Sequence, residues 1–358
     1  MKTTRQFRYP YRKRSHGLLW LLLGLAGFGT LAALILGRRR WWDDSEDDSE
    51  TGARPAPRRP SRPAEPVESA DPDAPDLDET AEQSQEAYAE AALPESLGVW
   101  IAGPAGNLFV RDGGEEHAGA LPVLFVHSLA GNGGQWALQL DHLRRHRRAV
   151  AIDLRGHGDS DPADDGDYTI PAFAADVAAV ADELALRRFV LAGHSLGASV
   201  AIEYAGRHPE RVAGLLLADP NGDQTRIPRE QMEPFLAALR NDPLPELDSY
   251  FRQLIAQGDH DAAGWVLEDL RLTHEDAVVK SVEGAMGYSP LPALERYPGP
   301  KLSVVSDMNN MPFSLHSLLP DLPVRYMPGT GHWLMMDRPE AFNRLLDEFL
   351  NTASTAEA

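Results

Sequence analysis

The residues best suited to chemistry in this chain surround Ser195, in the stretch AGHSLGASVAIEYAGRHPERVAGLLLADP at 192–220. Ser195 lies between Gly193 and Gly197 in a Gly-His-Ser-Leu-Gly string. A serine hydroxyl is a weak nucleophile at neutral pH and attacks a carbonyl only when a neighbouring base takes its proton. Because a five-residue match of this kind also arises by chance, the surrounding elements and a partner base must support it.

The residues around Ser195 predict a sharp turn between a strand and a helix. The apolar run RFVLAG at 188–193 precedes the serine, and LGASVAIEYAGRH follows it with helical periodicity. Such a turn exposes the serine hydroxyl, and it is so tight that side chains two positions to either side would clash, which explains Gly193 and Gly197. The context therefore favours a nucleophile over a structural turn.

His332 is the best candidate for the base. It lies in GTGHWLMMDRPEAFN, after the last predicted strand and before the final helix, where a loop can place an imidazole over the strand ends. His194 belongs to the turn itself, and His127 and His157 fit better as braces of loops beside a pocket. The remaining candidates are predicted on helix or loop surfaces: His142, His146, His208 and His260.

Attack on a carbonyl also requires an oxyanion hole, which is usually made of two backbone N–H groups. The N–H of Leu196, at the start of the predicted helix, is the first. The second is expected in the loop after PVLFVH (122–127), where the chain reads Ser128-Leu129-Ala130-Gly131. We predict that the Leu129 N–H fills this role.

Residues 97–352 resemble the α/β-hydrolase superfamily, in particular its serine esterase- and lipase-like members with a helical cap. The resemblance is carried by the motifs FVHSLAGNGGQW, AIDLRGHGDSD, AGHSLGAS and GTGHWLMMDRPEAFNRLLDEFL. It implies an α/β fold, a serine nucleophile and the chain order nucleophile, acid, histidine. One departure is Ser128, because the family usually has Gly directly after the histidine at position 127.

Several carboxylates compete as the acid that orients His332. The family's commonest acid lies a few residues after the strand KLSVVS, but Asn309 occupies that position here. An amide cannot balance the charge of an imidazolium. Asp307 lies two residues earlier, and Asp219 ends the strand VAGLLLA, where some branches of the superfamily place their acid. We favour Asp219, with Asp307 as the alternative and Asp223 as a third option.

Seven β-rich runs predict strands that position these residues. They are NLFVR (107–111), PVLFVH (122–127), RAVAID (148–153), RFVLAG (188–193), VAGLLLA (212–218), KLSVVS (301–306) and PVRYMP (323–328). Helical periods separate most of them, so we predict an α/β fold with a mostly parallel sheet and helices on both faces. The resemblance implies that this sheet is the eight-stranded sheet of the α/β-hydrolases. Residues 221–298 are helical without a good strand, and we interpret them as a helical cap, which the resemblance places after the sixth strand of the eight-stranded sheet.

The first 95 residues have a different character. Residues 17–37 carry no charge and are long enough for a transmembrane helix. Residues 1–16 are basic and predict a cytoplasmic N-terminus, which places the domain at 96–353 on the extracytoplasmic side. Residues 38–95 are acidic and proline-rich and predict a disordered linker. We therefore expect a single-pass membrane anchor with the catalytic domain on the extracytoplasmic side. The alternative orientation places the catalytic domain in the cytoplasm.

The composition excludes several functions. A net charge of −20 argues against nucleic acid as a partner, because phosphate binding needs clustered Lys and Arg. The absence of Cys excludes a thiolate nucleophile and Cys-ligated metals. No metal-ligand pattern stands out, so the prediction includes neither a metal nor a cofactor. The sequence leaves the oligomeric state open.

Together these features predict a membrane-anchored serine hydrolase that cleaves a carboxylic ester or a thioester through an acyl-enzyme at Ser195. Trp265, Phe251 and the Met and Leu residues of the cap suggest a small-molecule substrate with an apolar group. The alternatives are a cofactor-free perhydrolase or C–C bond hydrolase on the same triad. A catalytically silent binding module of the same fold is also open.

Overall fold

The computed structural model describes residues 98–115, 117, 119–256, 258 and 260–355. These residues form one eight-stranded sheet with helices on both faces, which confirms the predicted fold class. The predicted transmembrane helix at 17–37 and linker at 38–95 lie outside the described residues. Among the residues described, none of the helices has the length and apolar character needed to cross a membrane.

The sheet has eight strands, and its order brings the later strands side by side. The strands are β1 (Gly98–Gly103), β2 (Gly106–Gly113), β3 (Val123–Val126), β4 (Ala149–Ile152), β5 (Phe189–His194), β6 (Val212–Ala218), β7 (Lys301–Ser306) and β8 (Val324–Met327). Their order is β1-β2-β4-β3-β5-β6-β7-β8. The β1–β2 and β2–β4 pairs are antiparallel and all others are parallel. Since β5, β6 and β7 are adjacent and parallel, their carboxyl ends meet at one edge.

The helices connect the strands and cover the sheet. They are α1 (Ala137–Arg144), α2 (Ile170–Glu183), α3 (Leu196–Arg207), α4 (Arg229–Asn241), α5 (Pro243–Ile255), α6 (His260–Leu272), α7 (Glu275–Met286), α8 (Leu291–Arg296), α9 (Leu315–Leu318), α10 (Leu334–Asp337) and α11 (Pro339–Thr355). Short 3₁₀ helices span Gly133–Trp136 and Gln224–Arg226. The five helices α4–α8 lie between β6 and β7, where the sequence predicts the cap.

Successive residues of the central strands pack on opposite faces of the sheet. In β3, Val123 and Phe125 join one apolar cluster, whereas Leu124 and Val126 join the other. This alternation is the period of two that a strand imposes, and it explains why strands covered on both faces read as continuous apolar runs. Cap residues such as Phe251 belong to the first cluster. The cap therefore shares a core with the sheet.

The strand β1 forms a hairpin with β2 and is not among the strands predicted from the sequence. Ile101 and Leu108 face each other across this pair and are buried, whereas Trp100 is 62% exposed. The segment GVWIAG contains a glycine at each end and contributes one side chain to the core. Its apolar signal is therefore weak, because the pairing with β2, rather than its own pattern, defines it as a strand.

Candidate active site

Ser195 lies at the top of β5 in a strained backbone conformation, with φ 53° and ψ −112°. Its N–H donates to the Ala218 carbonyl at 3.0 Å, which ties the turn to the end of β6. A Cβ at position 193 would lie 2.2 Å from the Gly197 carbonyl oxygen, and one at position 197 would lie 2.4 Å from the Val126 carbonyl oxygen. Both glycines are therefore required by close backbone approach, as the sequence predicts.

Asp219 contacts the imidazole of His332. The Nδ1 atom of His332 lies 2.6 Å from Asp219 Oδ2, and Asp219 follows directly on β6. The same buried carboxylate accepts hydrogen bonds from the Ser306 N–H at 2.9 Å and the Ser306 hydroxyl at 3.1 Å. The Asn309 amide donates to it at 3.2 Å. Asn309, which occupies the family's common acid position, thus helps to hold the Asp219 carboxylate in place.

The other two candidate acids have different partners. Asp307 is exposed and accepts a hydrogen bond from the Gly329 N–H at 3.2 Å. Asp223 accepts hydrogen bonds from Thr225, Arg226 and Ser289. Within the described residues, Asp219 is the one of the three that contacts His332. A His332 Nδ1–H that donates to Asp219 leaves Nε2 as the atom able to accept a proton.

The Ser195 hydroxyl donates to Asn221 Oδ1 at 3.2 Å, and no hydrogen bond joins Ser195 to His332 in the described part of the chain. Both side chains line the same pocket. A transfer of the Ser195 proton to His332 would require the hydroxyl to exchange its hydrogen bond to Asn221 for one to the imidazole. Sequence reasoning missed Asn221, although a polar residue two positions after a candidate acid at a strand end is a usable signal.

The backbone of His332 is held from two sides. Its N–H donates to the Leu254 carbonyl in α5 at 3.2 Å, and its carbonyl lies 2.8 Å from His194 Nε2. Burial, together with the nearby His332, lowers the pKa of His194 well below its ordinary value. His194 is therefore neutral and donates through Nε2. The sequence places His194 in the turn and gives no hint of this contact.

The two residues predicted to supply the oxyanion donors line the same pocket as Ser195. Leu129 and Leu196 both line it, and Leu196 is the first residue of α3, so its N–H has no carbonyl partner within the helix. The loop that carries Leu129 is closed by a hydrogen bond from the Gly131 N–H to the Ser128 carbonyl, with Ala130 at φ 51°. Within the described residues, three of the four non-glycine residues with positive φ belong to this site: Ala130, Ser195 and Asp219.

Two buried histidines brace the loops beside the pocket, as the sequence predicts. His127 Nε2 accepts from the Leu154 N–H at 3.0 Å, and His157 Nδ1 lies 2.9 Å from the Arg155 carbonyl. Burial lowers the pKa of His127 to about 4 and that of His157 to about 3. Both rings are therefore neutral at pH 7, which suits a structural role.

A carboxylate of the cap contacts the loop that carries Leu129. Asp269 in α6 accepts from Asn132 Nδ2 at 2.7 Å and from Gln135 Nε2 at 2.9 Å. The Gln135 Oε1 atom in turn accepts from the Ser128 hydroxyl at 3.2 Å. Burial raises the pKa of Asp269 to about 7, and the two amide hydrogen bonds oppose this shift. Ser128, where the family usually has Gly, is thus linked to the cap through Gln135.

The pocket around Ser195 contains about 590 Å³ of empty space. Its wall is mostly apolar and includes Phe235, Phe251 and Trp333. In the described part of the chain, no Lys or Arg lines it. Tyr250 also lines the pocket, and burial together with nearby Asp219 raises the pKa of this phenol to about 12. Tyr250 is therefore neutral and able to donate a hydrogen bond.

Metal-ligating side chains occur together outside this pocket. His142, His146 and Asp347 each offer a ligand atom, and these atoms lie within 4.8 Å of one another. From the sequence, both histidines are predicted on helix or loop surfaces, and no metal-ligand pattern is predicted. Their spacing of four residues is the signal that could have found the pair.

The comparisons with known proteins agree with this architecture. A family model described as "Alpha/beta hydrolase family" matches residues 123–345. A non-heme chloroperoxidase of Kitasatospora aureofaciens is 29% identical over 283 residues, which cover 68% of this chain and 96% of the relative. An N-formylmaleamate deformylase of Pseudomonas putida is 25% identical over 253 residues, which cover 68% of this chain and 92% of the relative. A solved thermophilic esterase of Thermogutta terrifontis has a TM-score of 0.60 at 24% identity, covering 72% of this chain and 99% of its own.

The raised pKa of Asp269 predicts a pH-dependent stability difference. A carboxyl group that binds its proton more tightly in the folded state loses stability as the pH rises from its unfolded pKa, near 4, to its folded pKa of about 7. Asp269→Asn removes this loss. Between these two pKa values, the free energy of unfolding of the variant, measured by urea denaturation, should rise relative to that of the wild type by at most about 1.4 kcal/mol per pH unit. Asp307→Asn, at an exposed position, is the control, and a flat difference for Asp269→Asn would contradict the assignment.

Proposed function

Because the chain belongs to the α/β hydrolase family, we propose that it is a serine hydrolase that cleaves a carboxylic ester, or a thioester, through an acyl-enzyme at Ser195. The observation that carries this proposal is the 2.6 Å contact between Asp219 and His332 beside the pocket that Ser195 lines. The contact supplies what a serine nucleophile lacks, namely a base in a fixed tautomer with a compensating negative charge. Hydrolase chemistry is also common among the relatives, which include a deformylase.

In the proposed mechanism, His332 Nε2 takes the proton of Ser195 as Oγ attacks the carbonyl carbon of the substrate. The N–H groups of Leu129 and Leu196 stabilise the resulting oxyanion. Collapse of this intermediate expels the alcohol or thiol, which receives the proton from His332, and leaves the acyl group on Ser195. Water then attacks the acyl carbon with His332 again as the base, the bond to Ser195 Oγ breaks to release the carboxylic acid, and His332 returns the proton to Oγ. Asp219 balances the imidazolium charge in both halves of the reaction.

The pocket favours a neutral substrate with an apolar acyl group. Its wall presents aromatic and aliphatic side chains, and in the described residues it offers no cation to pair with a carboxylate or phosphate on the substrate. Burying an unpaired anion there would cost far more than the apolar contacts return. We therefore propose neutral esters as the substrate class.

A second candidate is perhydrolase activity, favoured by the 29% identity to the chloroperoxidase. In this reaction hydrogen peroxide, rather than water, attacks the acyl-enzyme and releases a peracid. The nucleophile, base and oxyanion donors are the same in both reactions. The two activities therefore differ in the second nucleophile that reaches the acyl group.

We also propose that residues 17–37 anchor the protein in a membrane and that the catalytic domain lies on the extracytoplasmic side. The support is the uncharged stretch itself and the greater number of cations on its N-terminal side. Residues 38–95 would then act as an acidic, self-repelling tether.

Reactivity of Ser195 and the role of Asp219 can be tested together. A fluorophosphonate probe should label the wild type and fail to label Ser195→Ala. Asp219→Asn should lower kcat/KM for a p-nitrophenyl ester by about 10³-fold or more, because the imidazolium loses its charge partner and its tautomer is no longer fixed. The matched variant Asp307→Asn should stay within about threefold of the wild type.

Failure of the wild type to react with the probe would contradict the proposal and support a silent binding module. Near-normal activity of Asp219→Asn combined with loss in Asp307→Asn would move the acid to position 307. Far-ultraviolet circular dichroism of each variant checks that the fold is retained.

Substrate preference should follow the character of the pocket. We expect kcat/KM for neutral p-nitrophenyl esters to rise about threefold to fourfold for each added methylene until the acyl chain fills the pocket. The anionic p-nitrophenyl hemisuccinate should be a poor substrate by comparison with the neutral butyrate. A preference for the hemisuccinate would contradict the neutral class. Peracid release exceeding hydrolysis when hydrogen peroxide is added would favour the second candidate.

Membrane anchoring predicts the behaviour of the full chain in cells. The protein should sediment with membranes and remain there after an alkaline carbonate wash. A protease added to intact spheroplasts should release the domain by cutting in residues 38–95. Extraction by carbonate would refute the anchor, whereas resistance to the protease until the cells are lysed would place the domain in the cytoplasm.

A further inference from the structure

The end of α1 meets α11 at a group of metal-ligating side chains on the protein surface. His142 lies in the last turn of α1, His146 lies just beyond it, and Asp347 lies in α11. The three ligand atoms lie within 4.8 Å of one another, and His142 Nε2 is 2.9 Å from Asp347 Oδ2. We propose that His142, His146 and Asp347 bind a divalent transition-metal ion of the zinc class.

The local backbone brings the two histidines to the same side. The N–H groups of His146 and Arg147 both donate to the Leu143 carbonyl, at 3.0 and 2.9 Å, so the helical turn continues past Arg144. Residues four apart on such a turn are neighbours. The two imidazole rings accordingly lie 5.6 Å apart and nearly perpendicular.

The contact between α1 and α11 is fixed one turn away from the cluster. Gln139 Nε2 donates to Asn343 Oδ1 at 3.2 Å and to the Met335 carbonyl at 3.1 Å. Asn343 and Asp347 are four residues apart, so they share one face of α11. The neighbouring residue Leu346 is buried in the core, so Asp347 lies at the rim of the interface between α1 and α11. The third ligand is therefore positioned by packing that does not depend on a metal.

The distances require small movements to reach coordination geometry. Zinc lies about 2.0–2.2 Å from nitrogen and oxygen ligands, so the ligand atoms of a tetrahedral site are about 3.4 Å apart. The His142–Asp347 pair must open from 2.9 Å, and the widest pair must close from at most 4.8 Å. Side-chain rotation can supply these shifts, because none of the three residues is buried.

The donor set selects the class of metal. Two imidazoles and one carboxylate suit zinc, nickel and copper, whereas magnesium and calcium prefer all-oxygen sites. Nearby arginines oppose any cation, although Arg145 pairs with Asp141 and Arg144 donates to backbone carbonyls. Arg147 interacts electrostatically with Asp347. Only an ion with strong intrinsic affinity for imidazole overcomes the positive charge of these arginines. This requirement excludes magnesium and calcium.

Water would complete the tetrahedral coordination of an ion held by these three side chains. A bound ion would join the end of α1 to α11. The helix α11 follows directly on α10, which in turn follows the segment of His332 and Trp333. The ion would thus brace the C-terminal part of the domain without entering the pocket.

Zinc titration of the full-length, tag-free protein tests the proposal. Calorimetry should show saturable binding of one ion, and excess zinc should raise the melting temperature by about 2–4 °C. His146→Ala should weaken zinc binding by at least about tenfold. His146 is the preferred site for the substitution because its side chain makes no hydrogen bond within the described residues, so the variant should melt like the wild type without zinc. Magnesium should have no effect on either protein.

The matched control is His208→Ala, which removes a histidine at the end of α3 and should bind zinc like the wild type. Asp347→Asn should weaken binding while leaving a side chain of the same shape. Absence of zinc binding to the wild type, or equal affinity in His146→Ala and the wild type, would overturn the proposal. The readouts are binding and melting, so they stand apart from any activity of Ser195.

Discussion

The buried carboxylate of Asp219 is the interaction on which the geometry of the site depends. It accepts hydrogen bonds from both the backbone and the hydroxyl of Ser306, and it contacts Asn309 and His332. These partners come from the end of β7 and from the loop after β8. One charged group therefore holds together three segments that are far apart in sequence. Because a buried carboxylate is stable only when its oxygens are fully paired, the arrangement leaves little freedom for the imidazole.

The local parts of this site could be read from the sequence, because each depends on one short segment. Gly193 and Gly197 predict the turn around Ser195 through backbone crowding alone. The choice of candidate acid could be narrowed to Asp219 and a few others because the adjacent parallel strands β5, β6 and β7 end at one edge of the sheet. The sequence shows that Asn309 departs from the family at the common acid position. It does not show the consequence, namely that the Asn309 amide donates a hydrogen bond to Asp219.

What the sequence could not predict depends on contacts between distant segments. Asn221 contacts Ser195 because of the path the chain takes after β6, and Asp269 reaches Asn132 and Gln135 from 134 or more residues away. Both are ordinary polar residues in a helical or turn context. The strand β1 was missed for the same reason, since its pairing with β2 rather than its composition defines it. Tertiary packing decides these features, and periodicity carries no information about it.

The strand–helix–strand unit β5-α3-β6 contains both Ser195 and Asp219, whereas His332 joins them from near the C-terminus. During synthesis, the adjacent strands that carry Ser195 and Asp219 can therefore pair while more than a hundred residues are still to be added. His332 can reach them only after the cap, β7 and β8 have been synthesised, because these elements precede it in the chain. Contacts over such separations form late and carry the largest entropic cost of chain closure. In the proposed mechanism, the nascent chain therefore lacks its general base until the segment that carries His332 docks.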